Sequence, residues 1–222
     1  MENKDDNNIL KAYNMLLLFA GSMVLYEPTK ECVVDFWKNG LLKQLPVKSR
    51  NPRFINAASQ LKESVESANL CVDDLQNDYR RLFPSNSLVP VKESGYRNNS
   101  FAETYKKPDV SVFYDAYGWV SKLRSKEADD HLAIEILFLT RLVEKYLSLD
   151  DEPCRIEMGK EIRRFIDQHL LSWIPQWNEK VQEHANTICY KGIGTLIEAC
   201  IEDISNVLSL SEKQKGRMPY SD

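Results

Sequence analysis

Apolar residues recur at intervals of three and four along almost the whole chain, the spacing that gathers side chains on one face of an α-helix. A first helix is expected over roughly residues 8–26, ending before Pro28. A second, ECVVDFWKNGLLKQL, sets Val33, Val34, Trp37, Leu41 and Leu45 along one side and stops before Pro46. A third begins near Pro52, a residue suited to a first turn because its missing N–H has no bond to make there. It carries Phe54, Ile55, Ala58, Leu61 and Val65. A fourth, over about residues 72–83, places Leu75, Tyr79 and Leu82 on one face.

The texture changes at residues 84–107, PSNSLVPVKESGYRNNSFAETYKK, where two prolines, a glycine and scattered serines and asparagines leave no helical stripe. A loop of this length is uncommon inside a compact domain and often carries function. Leu88, Val89, Tyr96, Phe101 and Tyr105 are costly to leave in water. The loop is therefore expected to be ordered in part and draped over the helices. Helices resume near Val110 with SVFYDAYGWVSKL, and EADDH leads into a long one ending near Leu149. Asp151, Glu152 and Pro153 open another, to about Leu171, and stretches near 172–185 and 189–208 complete the set. The tail SEKQKGRMPYSD is expected to fray.

No strand-like alternation of any length appears, so the fold class is all-α, a bundle of about eight to ten helices. Residues 1–222 are read as one domain. An organisation into halves 1–83 and 108–222 joined by the 84–107 loop is the alternative, and that loop is long enough for exchange between the subunits of a homodimer.

Composition changes the picture mainly by exclusion. The 222 residues are 43% hydrophobic, enough for a sizeable core. The net charge of -4 and pI near 5.6 show no basic face of the kind nucleic acid requires. Cys32, Cys71, Cys154, Cys189 and Cys200 are odd in number and contain no CxxC pair, so they read as structural thiols in a reducing compartment. The apolar run AYNMLLLFAGSMVLY is preceded by Glu2, Asp5 and Asp6 and broken by Asn14 and Ser22. It is also shorter than the roughly 20 residues of a membrane span. It is read as a buried first helix, with no membrane insertion and a cytoplasmic location.

Recognisable catalytic motifs are absent: there is no GxxxxGK[ST], GxGxxG, HExxH or GxSxG. Of the three histidines, His169 lies among apolar neighbours in FIDQHLLSW and reads as a satisfied core residue, while His184 sits in a polar run and should face solvent. The one concentration of chemistry is EADDHLAIE, residues 127–135, immediately before the apolar run ILFLTRLV. If a helix starts at Asp129 or Asp130, the acids cap it and meet the positive end of its dipole. The stripe Leu132, Ile136, Leu139, Val143 and Tyr146, widened by Ala133, Leu137 and Leu147, buries that helix on several sides. Its polar start then emerges at a rim, where Glu127, Asp130 and His131 lean over an apolar groove. Such a rim suits a ligand both cationic and apolar. A metal-dependent hydrolase using Asp130, His131 and Glu135 is the enzymatic alternative, and a generic helical adaptor is a third reading.

The pattern Glu127-x-x-Asp130-His131-Leu132-x-x-Glu135 resembles the signature of the TorD/DmsD/NarJ-type chaperones, cytoplasmic maturation factors for molybdenum-containing redox enzymes. Upstream, Leu82, Phe83, Pro90, Glu93, Ser94 and Tyr96 resemble that family's RLF…P…ESVY segment, and Tyr114, Tyr117 and Gly118 its Y…G helix. Downstream, Phe165, His169, Leu170, Trp173, Pro175 and Trp177 are similar to its F…HL..W.P.F segment. Ala128 stands where the family often has proline, and Gly95 replaces a β-branched residue. The resemblance implies binding rather than turnover, with no catalytic residue. Some relatives are associated with molybdenum cofactor or guanine nucleotide, but this chain has no recognisable phosphate loop, so no tightly bound cofactor is expected. The implied partner is the catalytic subunit of a molybdopterin oxidoreductase, held by its N-terminal twin-arginine leader until cofactor insertion. Glu127 and Asp130 would attract the arginines, because a guanidinium pairs well with carboxylates, and His131 would orient them. Leu82, Phe83 and Tyr96 with the 84–107 loop would line the apolar part, and Glu93 and Gly118 belong to the implied binding set.

Overall fold

Helical periodicity is realised in long helices wherever a stripe faces a neighbour. The computed structural model describes residues 2–33, 45–66, 71–84, 87–96, 109–121, 123 and 126–215. In chain order the helices are α1 (Glu2–Leu25), α2 (Lys30–Val33), α3 (Pro52–Glu66), α4 (Val72–Leu82), α5 (Val110–Ala116), α6 (Leu132–Ser148), α7 (Glu152–Phe165), α8 (Ile174–His184) and α9 (Ile188–Lys215). A 3-10 turn spans Glu93–Tyr96 and a π-helical turn Ile166–Leu170. The only β pairing among the described residues is an isolated bridge between Lys92 and His131. The chain is all-α.

Several boundaries differ from the periodicity. α1 extends to Glu2 through polar residues, and α9 continues through Glu212 and Lys213 to Lys215, where fraying was expected. α5 stops at Ala116, well short of Leu123, because Gly118 adopts φ +58°, a left-handed conformation that ends a helix. α7 passes into the π turn rather than running straight to Leu171. In α3, Phe54, Ala57 and Leu61 face the core, while Ile55 is 57% exposed rather than on the apolar face. Of the expected second helix, Val34, Trp37 and Leu41 lie outside the described residues.

The centre of the molecule is α9, whose Tyr190, Ile193, Leu196, Ile197, Cys200, Ile201 and Ile204 are fully buried. α3 packs along it on one side, α1 and α8 on others, and α1 also packs on α6. Close approach is set by two glycines. A Cβ on Gly192 would meet Leu61 Cγ at 3.0 Å, and one on Gly194 would meet Asn178 Oδ1 at 2.6 Å. Asp78 caps the start of α9, accepting from the N–H groups of Asn186 and Thr187 and from the Thr187 hydroxyl. Because α1 and α3 pack on α6 and α9, elements from both sides of the 84–107 loop share one hydrophobic cluster.

α1 is by length and composition apolar enough to cross a membrane over Asp5–Leu25. Its Leu10, Tyr13, Leu16, Leu17, Ala20 and Met23 are instead buried in this cluster. Cys189 and Cys200 are buried, with burial pushing the Cys200 thiol well up, whereas Cys71 and Cys154 are exposed.

Candidate functional site

The acidic turn is held differently from a simple helix start. α6 begins at Leu132, and His131 is its N-cap: Nδ1 accepts from the Ala133 N–H at 3.1 Å. Asp129 and Asp130 therefore precede the helix, and only Glu135 lies in its first turn. Asp130 is drawn away by a second segment. Its carbonyl accepts from Glu93 N at 2.9 Å and its Oδ2 from Ser94 N at 3.0 Å, while Leu132 N donates to Val91 O at 2.8 Å. Residues 87–96 thus form a strap laid against the start of α6. Val89 and Val91 turn inward to the core, as expected of a partly ordered loop; Phe101 and Tyr105 lie outside the described residues.

A cleft of about 600 Å³ opens beside this junction. Val24 and Leu25 at the end of α1 form one wall, Tyr79, Phe83 and Pro84 a second, and Pro90, Val91, Lys92, Ser94 and Gly95 of the strap a third. Glu127 and His131 complete the rim. His131 is only 4% exposed, and burial holds its pKa below the ordinary histidine value while Glu127 opposes the shift. The ring is consequently neutral near pH 7. Because Nδ1 is an acceptor, the proton sits on Nε2, which faces Glu127 Oε2 at 4.0 Å, too far for a hydrogen bond. Tyr79 donates its hydroxyl to Leu25 O at 2.9 Å. Burial raises its pKa, and Glu127 and Glu27 raise it further, so both carboxylates act on the same phenol. Glu27 is paired with Arg80, whereas the Glu127 side chain is 37% exposed.

Of the residues singled out from sequence, Glu127, His131 and Phe83 are brought together on the cleft. The others stand behind it. Leu82 is fully buried in the core, and Asp130 props the strap. Tyr96 donates to Pro90 O at 2.8 Å and lays its ring 5.3 Å from that of Trp173. Glu93 is buried against His169, with Oε2 3.2 Å from Nδ1. Gly118 ends α5 and does not line the cleft. Sequence reasoning missed Val24, Leu25 and Tyr79 as cleft residues, whereas Lys92 and Gly95 belong to the 84–107 loop it had named as lining. Only Tyr79, already on an apolar stripe, carried a local signal.

Residues 51–179 match the family described as nitrate reductase delta subunit, a span that covers more than half of the chain and holds both the strap and the acidic turn. The chain belongs to that family. Within this nitrate reductase delta subunit family, it is similar to the protein named Chaperone protein TorD from Photobacterium profundum. That pair is 26% identical over 204 residues, 84% of this chain and 90% of the relative. The protein of the same name from Vibrio parahaemolyticus is 29% identical over 135 residues, 60% of this chain and 59% of its own length. That from Actinobacillus pleuropneumoniae serotype 3 is 34% identical over 86 residues, 36% of this chain and 38% of its own. This family member is a TorD-like redox-enzyme maturation chaperone rather than an enzyme.

The acidic motif EADDHLAIE is in this chain largely a folding device. His131 caps α6, Asp130 binds the strap, and Glu135, fully buried, accepts from Trp173 Nε1 at 3.1 Å. The triad considered for a metal, Asp130, His131 and Glu135, is thus committed to three separate partners. Among the described residues no group of three His, Cys, Asp or Glu is placed to hold an ion.

Proposed function

We propose that this chain is a cytoplasmic chaperone that holds the N-terminal twin-arginine leader of an apo molybdopterin oxidoreductase subunit in the cleft until the cofactor has been inserted. The observation that carries this reading is a hollow of mixed lining, with an apolar surface from Val24, Leu25, Phe83 and Val91 and with Glu127 as the carboxylate and Lys92 as the cation among its described lining residues. A leader combines two guanidinium groups with an apolar segment. The carboxylate offers a bidentate partner to a guanidinium. The neutral His131 adds no charge beside the carboxylate, its Nε2 lying 4.0 Å from Glu127 Oε2. Val24, Leu25, Phe83 and Val91 supply a surface for the apolar segment, each methylene buried there contributing about 0.8 kcal/mol. Ordering a flexible leader opposes this, which keeps the complex releasable.

No bond is made or broken by the chaperone in this scheme, and molybdopterin is cargo of the client rather than a resident of this chain. The test is calorimetric titration with a twin-arginine leader peptide, with its twin-lysine counterpart, and with Glu127→Gln in place of the wild-type protein. Losing the charge-assisted pair is expected to weaken binding about tenfold or more, since such bonds contribute roughly 1.5–3 kcal/mol. Equal affinity in all three titrations would overturn the reading.

A further inference from the structure

Along the strap, exposure alternates with a period of two. Val89, Val91 and Glu93 are buried, while Leu88, Lys92 and Ser94 are exposed. Two of the three inward positions are valines, and a slide of the strap by two residues would exchange one valine for the other at almost no loss of packing. Glu93 breaks that degeneracy. It is 1% exposed and reaches His169 Nδ1 at 3.2 Å, and His169 is itself fully buried in the π turn, between Phe113 (5.2 Å) and Phe165 (5.6 Å). The other imidazole nitrogen has no hydrogen-bond partner among the described residues, so the only polar contact of this ring is the one to Glu93. Four residues on, Trp173 donates to His169 O and supports Tyr96, the last residue of the strap's 3-10 turn.

A carboxylate and an imidazole enclosed by aromatic rings are less favourable than two well-packed apolar side chains, and such pairs are best explained where they select one arrangement among several. We propose that Glu93 and His169 are positioning residues that pin the register of the strap, so that Pro90, Lys92, Ser94 and Gly95 present one defined wall to the cleft. They touch no ligand. The pin sets the shape into which a leader fits, and in that respect the inference rests on the function proposed above.

The test compares Glu93→Gln, which keeps a hydrogen-bonding side chain opposite His169, with the double variant Glu93→Met/His169→Leu, which removes both polar groups and leaves neither orphaned. Three readouts are taken: thermal stability, affinity for a twin-arginine leader, and hydrogen exchange at the Glu93, Ser94 and Leu132 amides that fasten the strap. The double variant is expected to melt no lower than the wild type, to bind at least about tenfold more weakly, and to exchange at least about tenfold faster at those amides. Glu93→Gln is expected within about twofold of wild type in affinity and exchange. The inference falls if the double variant exchanges and binds like wild type. It falls equally if that variant unfolds, which would make the pair a stability element, or if Glu93→Gln behaves like it. Should wild-type protein bind no leader at all, the proposed function fails, and the exchange comparison alone decides whether the pin exists.

Discussion

Replacing His131 by alanine and by asparagine separates what this side chain does for the fold from what it does at the rim. Alanine removes the acceptor for the Ala133 N–H and leaves the first turn of α6 uncapped, a loss of about 1 kcal/mol, up to about 2. Asparagine is among the best cap residues and should restore nearly all of that. The two variants should also differ from wild type in pH dependence. Burial depresses the His131 pKa in the folded state, so the unfolded chain takes up a proton first as the pH falls below the ordinary histidine value of about 6.5. The contribution of the neutral, buried ring is therefore fully present above that value. It is lost on acidification, at no more than about 1.4 kcal/mol per pH unit, until the folded pKa is passed. Urea unfolding of the three proteins at pH 8 and at pH 5.5 reads both effects. The expected result is alanine below asparagine at pH 8, and a gap between wild type and asparagine that shifts in favour of asparagine at pH 5.5. A gap independent of pH, or one that moves toward wild type in acid, would refute the reasoning.

Leader binding should weaken as salt is raised from 0.05 to about 0.5 M, because Glu127 is partly exposed and its attraction is screened; titration at several ionic strengths checks this. Asp78→Ala removes the shared acceptor for two N–H groups and a hydroxyl at the start of α9 and should cost about 2–3 kcal/mol in urea unfolding. Gly194→Ala would press a methyl to 2.6 Å from Asn178 Oδ1 and 3.0 Å from Val181 Cγ1. It should lower stability by about 1–3 kcal/mol, read as a drop in melting temperature.

Helix content was legible because a stripe at intervals of three and four has one physical solution, and Leu132 through Tyr146 in α6 illustrates it. Helix ends were harder to read. His131 serves as the cap of α6 although acids stand beside it, since Asp130 is taken by Ser94 N, a contact 36 residues distant that no local pattern reports. The same limit governs the cleft. Glu127 and His131 share one short motif and Phe83 stands out in another, but Val24 and Leu25 reach the cleft only because α1 packs on α6 and α9. His169 was readable as a core histidine; that its partner is Glu93, 76 residues earlier, was not.

Mapping backbone amide shifts during addition of a twin-arginine leader peptide tests the central claim most directly. The account predicts that the largest changes fall on Leu25, Ser87, Lys92, Gly95 and Glu127, around the one cleft. Changes centred instead on the shallow groove of Met15, Leu18 and Leu147 between α1 and α6, or no changes at all, would contradict it.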